Sequence, residues 1–243
     1  VVVYTRREGV YTCLLTGSDE GNLRADTIML GCFDTNNKTA TLVSIPRDTL
    51  VNSSASGVTS KKINAVYKVN GRDEDGIQAL KTHVSKLVGF VPDYYVMIDW
   101  ELVGQMVDAI GGVYFDIPYH MDYDDPYQDL YIHFEPGYQY LDGEDAMQVV
   151  RWRKNNKWSP YANEGGGSDI NRLNVQHQFL KAVLQQTLQL KNVTRIGQLA
   201  ELFGENVVSD LTIENLFWFG SRAIMGGLNV DDVEFVTMPY ARA

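Results

Sequence analysis

The sequence predicts an α/β fold, a mixed central β-sheet flanked by helices, in a single domain over residues 1–243. Three observations lead to it. Short β-rich runs separated by turn residues fill positions 10–45, as hairpins require. A strand–helix–strand succession follows between Asp93 and Ile117, the mark of helices layered on a sheet. A long helix then begins at Ser168 or Asp169, with Val175, Phe179, Val183, Leu184 and Leu188 among its apolar positions.

The elements follow in order. Val10–Gly17, Thr27–Leu30 and Thr39–Ile45 read as strands. The turn cluster Asp34–Lys38 joins the second to the third, and Pro46 stops the third. Val51–Ser60 is a Ser/Gly-rich loop. Lys61–Val69 is a short helix, and Asp73–Leu87 a longer one with Ile77, Leu80, Val84 and Leu87 at helical spacing. Asp93–Ile98 is a strand, Trp100–Ile110 a helix closed by Gly111-Gly112, and Val113–Ile117 a strand. Asp122–Gly137 is acidic and aromatic and reads as an irregular hairpin. Asp142 caps a helix to Val150, and Asn155–Gly167, with its run of three glycines, reads as a mobile lid. The long helix, two further helices (Ile196–Glu205 and Thr212–Met225) and a strand at Val233–Met238 complete the chain.

Composition narrows the function. With 44% hydrophobic and 21% charged residues, 243 residues are enough for a sizeable core, and disorder is excluded as the dominant state. A net charge of −10 argues against general nucleic-acid binding. Yet 11 arginines stand against 10 lysines, and five of those arginines fall in the motifs below. The fork of guanidinium donors suits phosphate oxygens, so an acidic protein with local arginines suggests one anionic ligand. Cys13 and Cys32 make neither a zinc module nor a CxxC pair; they read as two strand cysteines, with a disulfide between neighbouring strands as the alternative. No run of about 20 apolar residues is present.

Four clusters carry candidate chemistry. Asp19 and Asp26 bracket the loop between the first two strands, where two carboxylates at one end of a hairpin can share a hard cation; each is also an ordinary turn residue. Arg47 and Asp48 follow the third strand, which a hairpin through Asn36-Asn37 brings back beside Arg24 and Asp26; a surface ion pair is the alternative. Arg151 and Arg153 share a direction if the backbone is extended after Val150, and are otherwise a basic helix end. Asp169, Arg172 and Gln176, at spacings of three and four, share a face in the first two turns of the long helix. A helix N-terminus favours anions, and an arginine there sits well only with an anion beside it. Asp169 is also a plain N-cap candidate, and the apolar stripe beyond it suits either core packing or an amphiphilic ligand.

Taken in order, LLTGSD, RADTIML, TLVSIPRDT, KINAVY, LDGEDAMQVVRWR and SDINRLNVQHQFL resemble the LytR-CpsA-Psr family over about Leu14–Leu188. The resemblance implies a membrane-anchored enzyme on the extracytoplasmic face of the cell membrane, with an N-terminal anchor ahead of these residues. It implies a hydrophobic lipid pocket between sheet and helices. The activity implied is a phosphotransferase that moves a glycopolymer, such as teichoic acid or capsule, from a polyprenyl-pyrophosphate carrier to peptidoglycan. Carried over residue by residue, Asp19 and Asp26 would hold Mg²⁺, with Mn²⁺ as a substitute. Arg24, Arg47, Arg151, Arg153, Arg172 and Gln176 would bind the pyrophosphate. Arg24, Arg47, Asp48 and Asp169 would be catalytic, the two aspartates as candidate bases. A hydrolase using the same site, and a non-catalytic polyprenyl-phosphate-binding module, are the alternatives.

Overall fold

The computed structural model describes residues 7–18, 25–51, 61–71, 74–165, 169–189 and 194–239. It is mixed α/β and divides into two compact units, one of residues 1–100 with 200–243, the other of residues 101–199.

The first unit is built on a sheet. Strands β1 (Val10–Ser18), β2 (Ala25–Asp34) and β3 (Thr39–Ser44) form an antiparallel meander. Its β2–β3 turn closes because the Asp34 carboxylate accepts from the backbone N–H groups of Asn36 and Asn37 at 3.0 and 2.9 Å, while Lys38 takes a left-handed φ of 57°. β4 (Tyr94–Ile98) joins β1 in parallel, β10 (Val233–Thr237) joins β3 in parallel, and the two-residue β9 (Val208–Ser209) borders β4. The order is β10-β3-β2-β1-β4-β9. Strands β1, β3, β4 and β10 therefore run the same way, and their carboxyl ends lie along one edge, where open α/β sheets place ligands.

Both faces of this sheet are covered. Leu14, Ile28, Tyr95 and Met97 pack with Ile63, Val66 and Tyr67 around helix α1 (Asn64–Val69) and with Ile77, Leu80 and Val84 of α2 (Glu74–Val88). On the other face Tyr11, Phe33 and Tyr94 meet Phe219 of α7 (Ile213–Gly226) at ring-centroid distances of 5.2, 6.5 and 5.7 Å. A reciprocal Thr212–Asn215 capping box starts α7 and Gly227, at φ 80°, ends it. The register settles the cysteines. Cys13 pairs with Gly31 and Cys32 with Thr12, so the two thiols point to opposite faces and no disulfide joins them. Burial pushes the Cys13 thiol up to about 12.

The second unit sets two hairpins against helices. Helix α3 (Trp100–Ala109) is followed by Gly111 and Gly112, both at positive φ as predicted. β5 (Val113–Ile117) pairs with β8 (Gly137–Leu141), and between them β6 (Met121–Asp125) pairs with β7 (Leu130–Phe134). The segment predicted as irregular is thus a regular hairpin. Its turn is closed by Asp125, which accepts from Tyr127 N–H (3.1 Å) and Gln128 Nε2 (2.6 Å). Asp142 caps α4 (Gly143–Arg151) as expected, accepting from Asp145 N–H at 3.0 Å. The inner face of β5 packs on α5 (Asp169–Thr187), with Phe115 edge-on to Phe179. Helix α6 (Ile196–Asn206) links the chain segments of the two units.

The predicted mobile lid is corrected over its described part. Asn155, buried beside the C-terminus of α4, holds four groups at once. Its Oδ1 accepts from Trp152 Nε1 (2.9 Å) and Asp122 N–H (2.8 Å), and its Nδ2 donates to the His120 and Tyr161 carbonyls (2.9 and 2.8 Å). Asn156 adds a two-way exchange with the backbone of Asp124. His120 stacks on Tyr161 at 3.7 Å and bridges Glu164 (2.8 Å) and Glu135 (3.0 Å). Residues 155–165 are therefore pinned by polar side chains, while Gly166 and Gly167 lie outside the described residues, as do residues 52–60 of the Ser/Gly-rich loop.

Candidate functional site

In the first unit the described positions among the predicted residues, Asp26, Arg47 and Asp48, follow the carboxyl edge of the sheet. Asp19 and Arg24 lie outside the described residues, in the connection between β1 and β2. Asp26 is described by its backbone, and that backbone is distinctive. Gly17 pairs with Thr27 but Ser18 pairs with Ala25, so Asp26 is the extra residue of a β-bulge. Bulges re-aim a side chain at the end of a ladder and recur beside functional sites.

Arg47 reaches the same edge from β3. The Ile45 N–H donates to the Ile28 carbonyl at 2.8 Å, so the antiparallel course of β2 and β3 continues one residue past Ser44 before the chain turns at Pro46. Thr49 closes this turn, its N–H and Oγ1 both donating to the Pro46 carbonyl (2.9 and 2.6 Å). The Arg47 carbonyl accepts from Asn64 N–H at 3.2 Å and its side chain is half-buried. Asp48 is exposed and pairs with Lys62 at 2.8 Å. At about half exposure on both partners this pair contributes little stability.

In the second unit the predicted residues gather where α4 ends and α5 begins. Helix α4 includes Arg151, one residue later than the sequence suggested. Trp152 then turns extended (φ −58°, ψ 135°) with its ring 1% exposed. The indole drives inward, and Arg151 and Arg153 flank it as half-buried and exposed positions. Arg151 donates to Gln128 Oε1 at 3.4 Å. One turn apart on α5 stand Arg172, only 8% exposed, and Gln176, whose Nε2 donates to the Val150 carbonyl at 3.3 Å. That bond ties the α5 face carrying Arg172 to the end of α4 carrying Arg151. A guanidinium taken this far from water requires charge or carbonyl partners around it. The buried Gln176 Oε1 has no hydrogen-bond partner among the described residues. Asp169 is the first residue of α5.

Among the described residues no group of three or more His, Cys, Asp or Glu side chains is arranged to hold a metal ion. The predicted ligands stand apart from that statement, because Asp19 is not described and Asp26 is described by backbone only. Their donor type fits the predicted ion: carboxylate oxygens are what a hard divalent cation takes. No described helix is long and apolar enough to cross a membrane.

Sequence reasoning missed Asn155, which orders the segment after Trp152 and so fixes where Arg153 leaves the helix. The Asn155-Asn156 doublet was the available signal, but the glycine run led the whole segment to be read as a mobile lid. It also missed Lys62 as the partner of Asp48, and the bulge at Asp26, which no local pattern announces.

Known proteins resemble this chain in sequence and in fold. The profile of the LytR_cpsA_psr family matches residues 2–243. The polyisoprenyl-teichoic acid–peptidoglycan teichoic acid transferase TagV of Bacillus subtilis (strain 168) is 31% identical over 192 residues, 78% of this chain and 46% of its own length. The TagU protein of the same description from Halalkalibacterium halodurans is 27% identical over 87% of this chain and 63% of its own length. The chain thus spans between about half and just under two thirds of these relatives. In fold it is similar to the crystal structure of B. subtilis TagV, with a TM-score of 0.75 and 24% identity over 97% of this chain and 87% of that one. It is also similar to TagT bound to LI-WTA, with a TM-score of 0.68 and 20% identity over 95% and 79%.

Proposed function

Since this chain belongs to the LytR-CpsA-Psr family, we propose that it is a phosphotransferase moving a glycopolymer from a polyprenyl-pyrophosphate carrier to peptidoglycan. The observation that carries the reading is the buried Arg172 at the start of α5, tied through Gln176 to the end of α4. Burying a guanidinium beside a helix N-terminus is a costly arrangement that an anionic ligand rewards. The names of TagV and TagU, which specify a polyisoprenyl-linked teichoic acid and peptidoglycan, support the choice of donor and acceptor.

Phosphoryl transfer asks a protein mainly for positioning and charge neutralisation. In this reading Arg24, Arg47, Arg151, Arg153 and Arg172 neutralise pyrophosphate oxygens, with Gln176 as a further donor. A hydroxyl of the acceptor glycan attacks the phosphorus nearer the glycopolymer. The new O–P bond forms as the bridging P–O bond breaks, and polyprenyl phosphate departs with the bond's electrons. The hydroxyl proton passes to a carboxylate, with Asp48 and Asp169 as candidates. Asp19 and Asp26 would hold Mg²⁺, which supplies charge neutralisation at the pyrophosphate. The reading also places the chain outside the cytoplasmic membrane, anchored there in the complete protein.

The test is transfer from a lipid-pyrophosphoryl saccharide to peptidoglycan with Mg²⁺ present. Product attached to peptidoglycan, lost in Arg47→Ala and Arg172→Ala, is the expected result. Release of polyprenyl phosphate at the same rate without acceptor would make the protein a hydrolase. Tight lipid binding with no turnover and no Mg²⁺ dependence would make it a binding module.

A further inference from the structure

The β5–β8 ribbon has one buried and one exposed face. Val113, Phe115, Ile117 and Leu141 are buried, and Phe115 packs on α5. The other face holds four exposed positions, Tyr114, Asp116, Tyr138 and Tyr140. Solvent faces of two-stranded ribbons are ordinarily polar. Three tyrosines out of four is a different surface, and they are open to water: Tyr114 is 55%, Tyr138 73% and Tyr140 51% exposed.

The rings are organised. Tyr114 and Tyr138 lie with centroids 5.6 Å apart and planes within 16°, while Tyr140 stands edge-on to Tyr114 at 5.5 Å. Gly112 makes room for this: at φ 80° it lacks the Cβ that would fall 2.2 Å from the Tyr140 ring. Asp116 sits directly opposite Tyr138 in the ladder. The result is an ordered aromatic shelf, two near-parallel rings with a third standing edge-on, and a carboxylate beside it.

We propose that this shelf is a saccharide-binding subsite for the glycan strand of peptidoglycan. This deepens the phosphotransferase reading and rests on it for the identity of the acceptor. Flat aromatic faces stack on the C–H face of a pyranose ring, the hydroxyls and Asp116 offer hydrogen bonds to sugar hydroxyl and N-acetyl groups, and tyrosine ordering costs little entropy. Charge selects the source of the sugar. Asp116 lies on the shelf and the exposed Glu135 just before β8, in a chain of net charge −10. A phosphodiester polymer such as teichoic acid is repelled there, whereas an uncharged amino-sugar strand is not.

Cross-strand ring pairs also stabilise ribbons, so the test must separate binding from folding. Peptidoglycan sacculi stripped of teichoic acid are sedimented with the protein, without any lipid donor. The double variant Tyr114→Ala/Tyr138→Ala should bind about tenfold or more weakly. Tyr114→Phe/Tyr138→Phe should keep most of the binding, and Tyr131→Ala, an exposed tyrosine of the other hairpin, should bind as wild type. Independently of any variant, titration of the wild-type protein with an N-acetylglucosamine tetramer should shift the ring resonances of Tyr114 and Tyr138. Unshifted resonances, or sacculi binding by the double alanine variant equal to wild type, would overturn the proposal. A loss of affinity for soluble teichoic acid in place of sacculi would overturn it as well. Because no donor is present, failure here leaves the transfer assay standing, and failure of transfer leaves sacculi binding to be scored by itself.

Discussion

The two units hold their arginines by different means. In the first, an apolar core and a ring of edge-to-face aromatics fix a six-stranded sheet, and Arg47 is placed by where a strand stops. In the second, Arg151 and Arg153 are placed by a helix end whose continuation is fixed by the four hydrogen bonds of one asparagine and a histidine between two glutamates. The first arrangement responds little to pH, since buried hydrocarbon carries no titrating group. The second rests on polar groups whose cost, when left unmet, far exceeds their gain when met. The lesson is that two sets of candidate residues can call for the same ligand class yet differ in what disturbs them.

Catalysis gives the largest expected effects. Arg172→Ala and Arg47→Ala should each lower transfer by about 10²–10³-fold, the scale of losing one donor to a developing charge. Equal losses would show the two sets to be equally engaged, and a large loss in only one would rank them. Next is Asn155→Ala, which strands a buried indole N–H, a backbone N–H and two carbonyls. It should destabilise by about 3–5 kcal/mol, with hydrogen exchange rising first at residues 120–124 and 152–165. Leu80→Ala, in the apolar core of the first unit, should cost about 3 kcal/mol by denaturant titration without that local pattern. Uniform loosening of the whole chain by Asn155→Ala would erase the contrast between the units.

The pH response is smaller and has a sign. His120 is raised above its ordinary value, first by its hydrogen bond with Glu164 and then by the charges of Glu164 and Glu135. Glu164 is lowered, first by its hydrogen bond with His120. The raised histidine contributes most below about 6.5 and loses its contribution as pH rises through its folded value. The lowered glutamate contributes above its ordinary range and loses its contribution as pH falls through its folded value. The clamp is thus strongest at mildly acidic pH. Amide exchange in residues 155–165, corrected for intrinsic rates, should accelerate from pH 6 to pH 9 and do so less in His120→Gln. Thr212→Ala, which removes the α7 cap, should cost about 1 kcal/mol at any pH in that range.

Much of this was legible in the sequence, for reasons that are local. The turn at Asp34–Lys38, the cap at Asp142 and the stop at Gly111-Gly112 each depend on a few adjacent residues, and the structure has all three. What failed was non-local or masked. β8 went unrecognised because Gly137 and the exposed tyrosines hide its alternation, and its partner β5 lies 20 and more residues upstream. The lid reading failed because glycines announce freedom more loudly than asparagines announce attachment. Of the site, the spacing of Arg172 and Gln176 was readable from helical geometry alone, whereas the bulge at Asp26 comes into being only when β1 and β2 pair.

The opposed cysteines have a practical consequence. One register step separates two thiols that look out of opposite sides of the same sheet, Cys13 toward the α7 side shared with Tyr11 and Cys32 toward the side shared with Leu14. The chain therefore carries its own two-channel footprinting probe. An alkylating reagent that reaches Cys13 reports that one covering layer has lifted, and one that reaches Cys32 reports on the other, so ligand-induced breathing can be assigned to a side of the sheet without introducing a single foreign label.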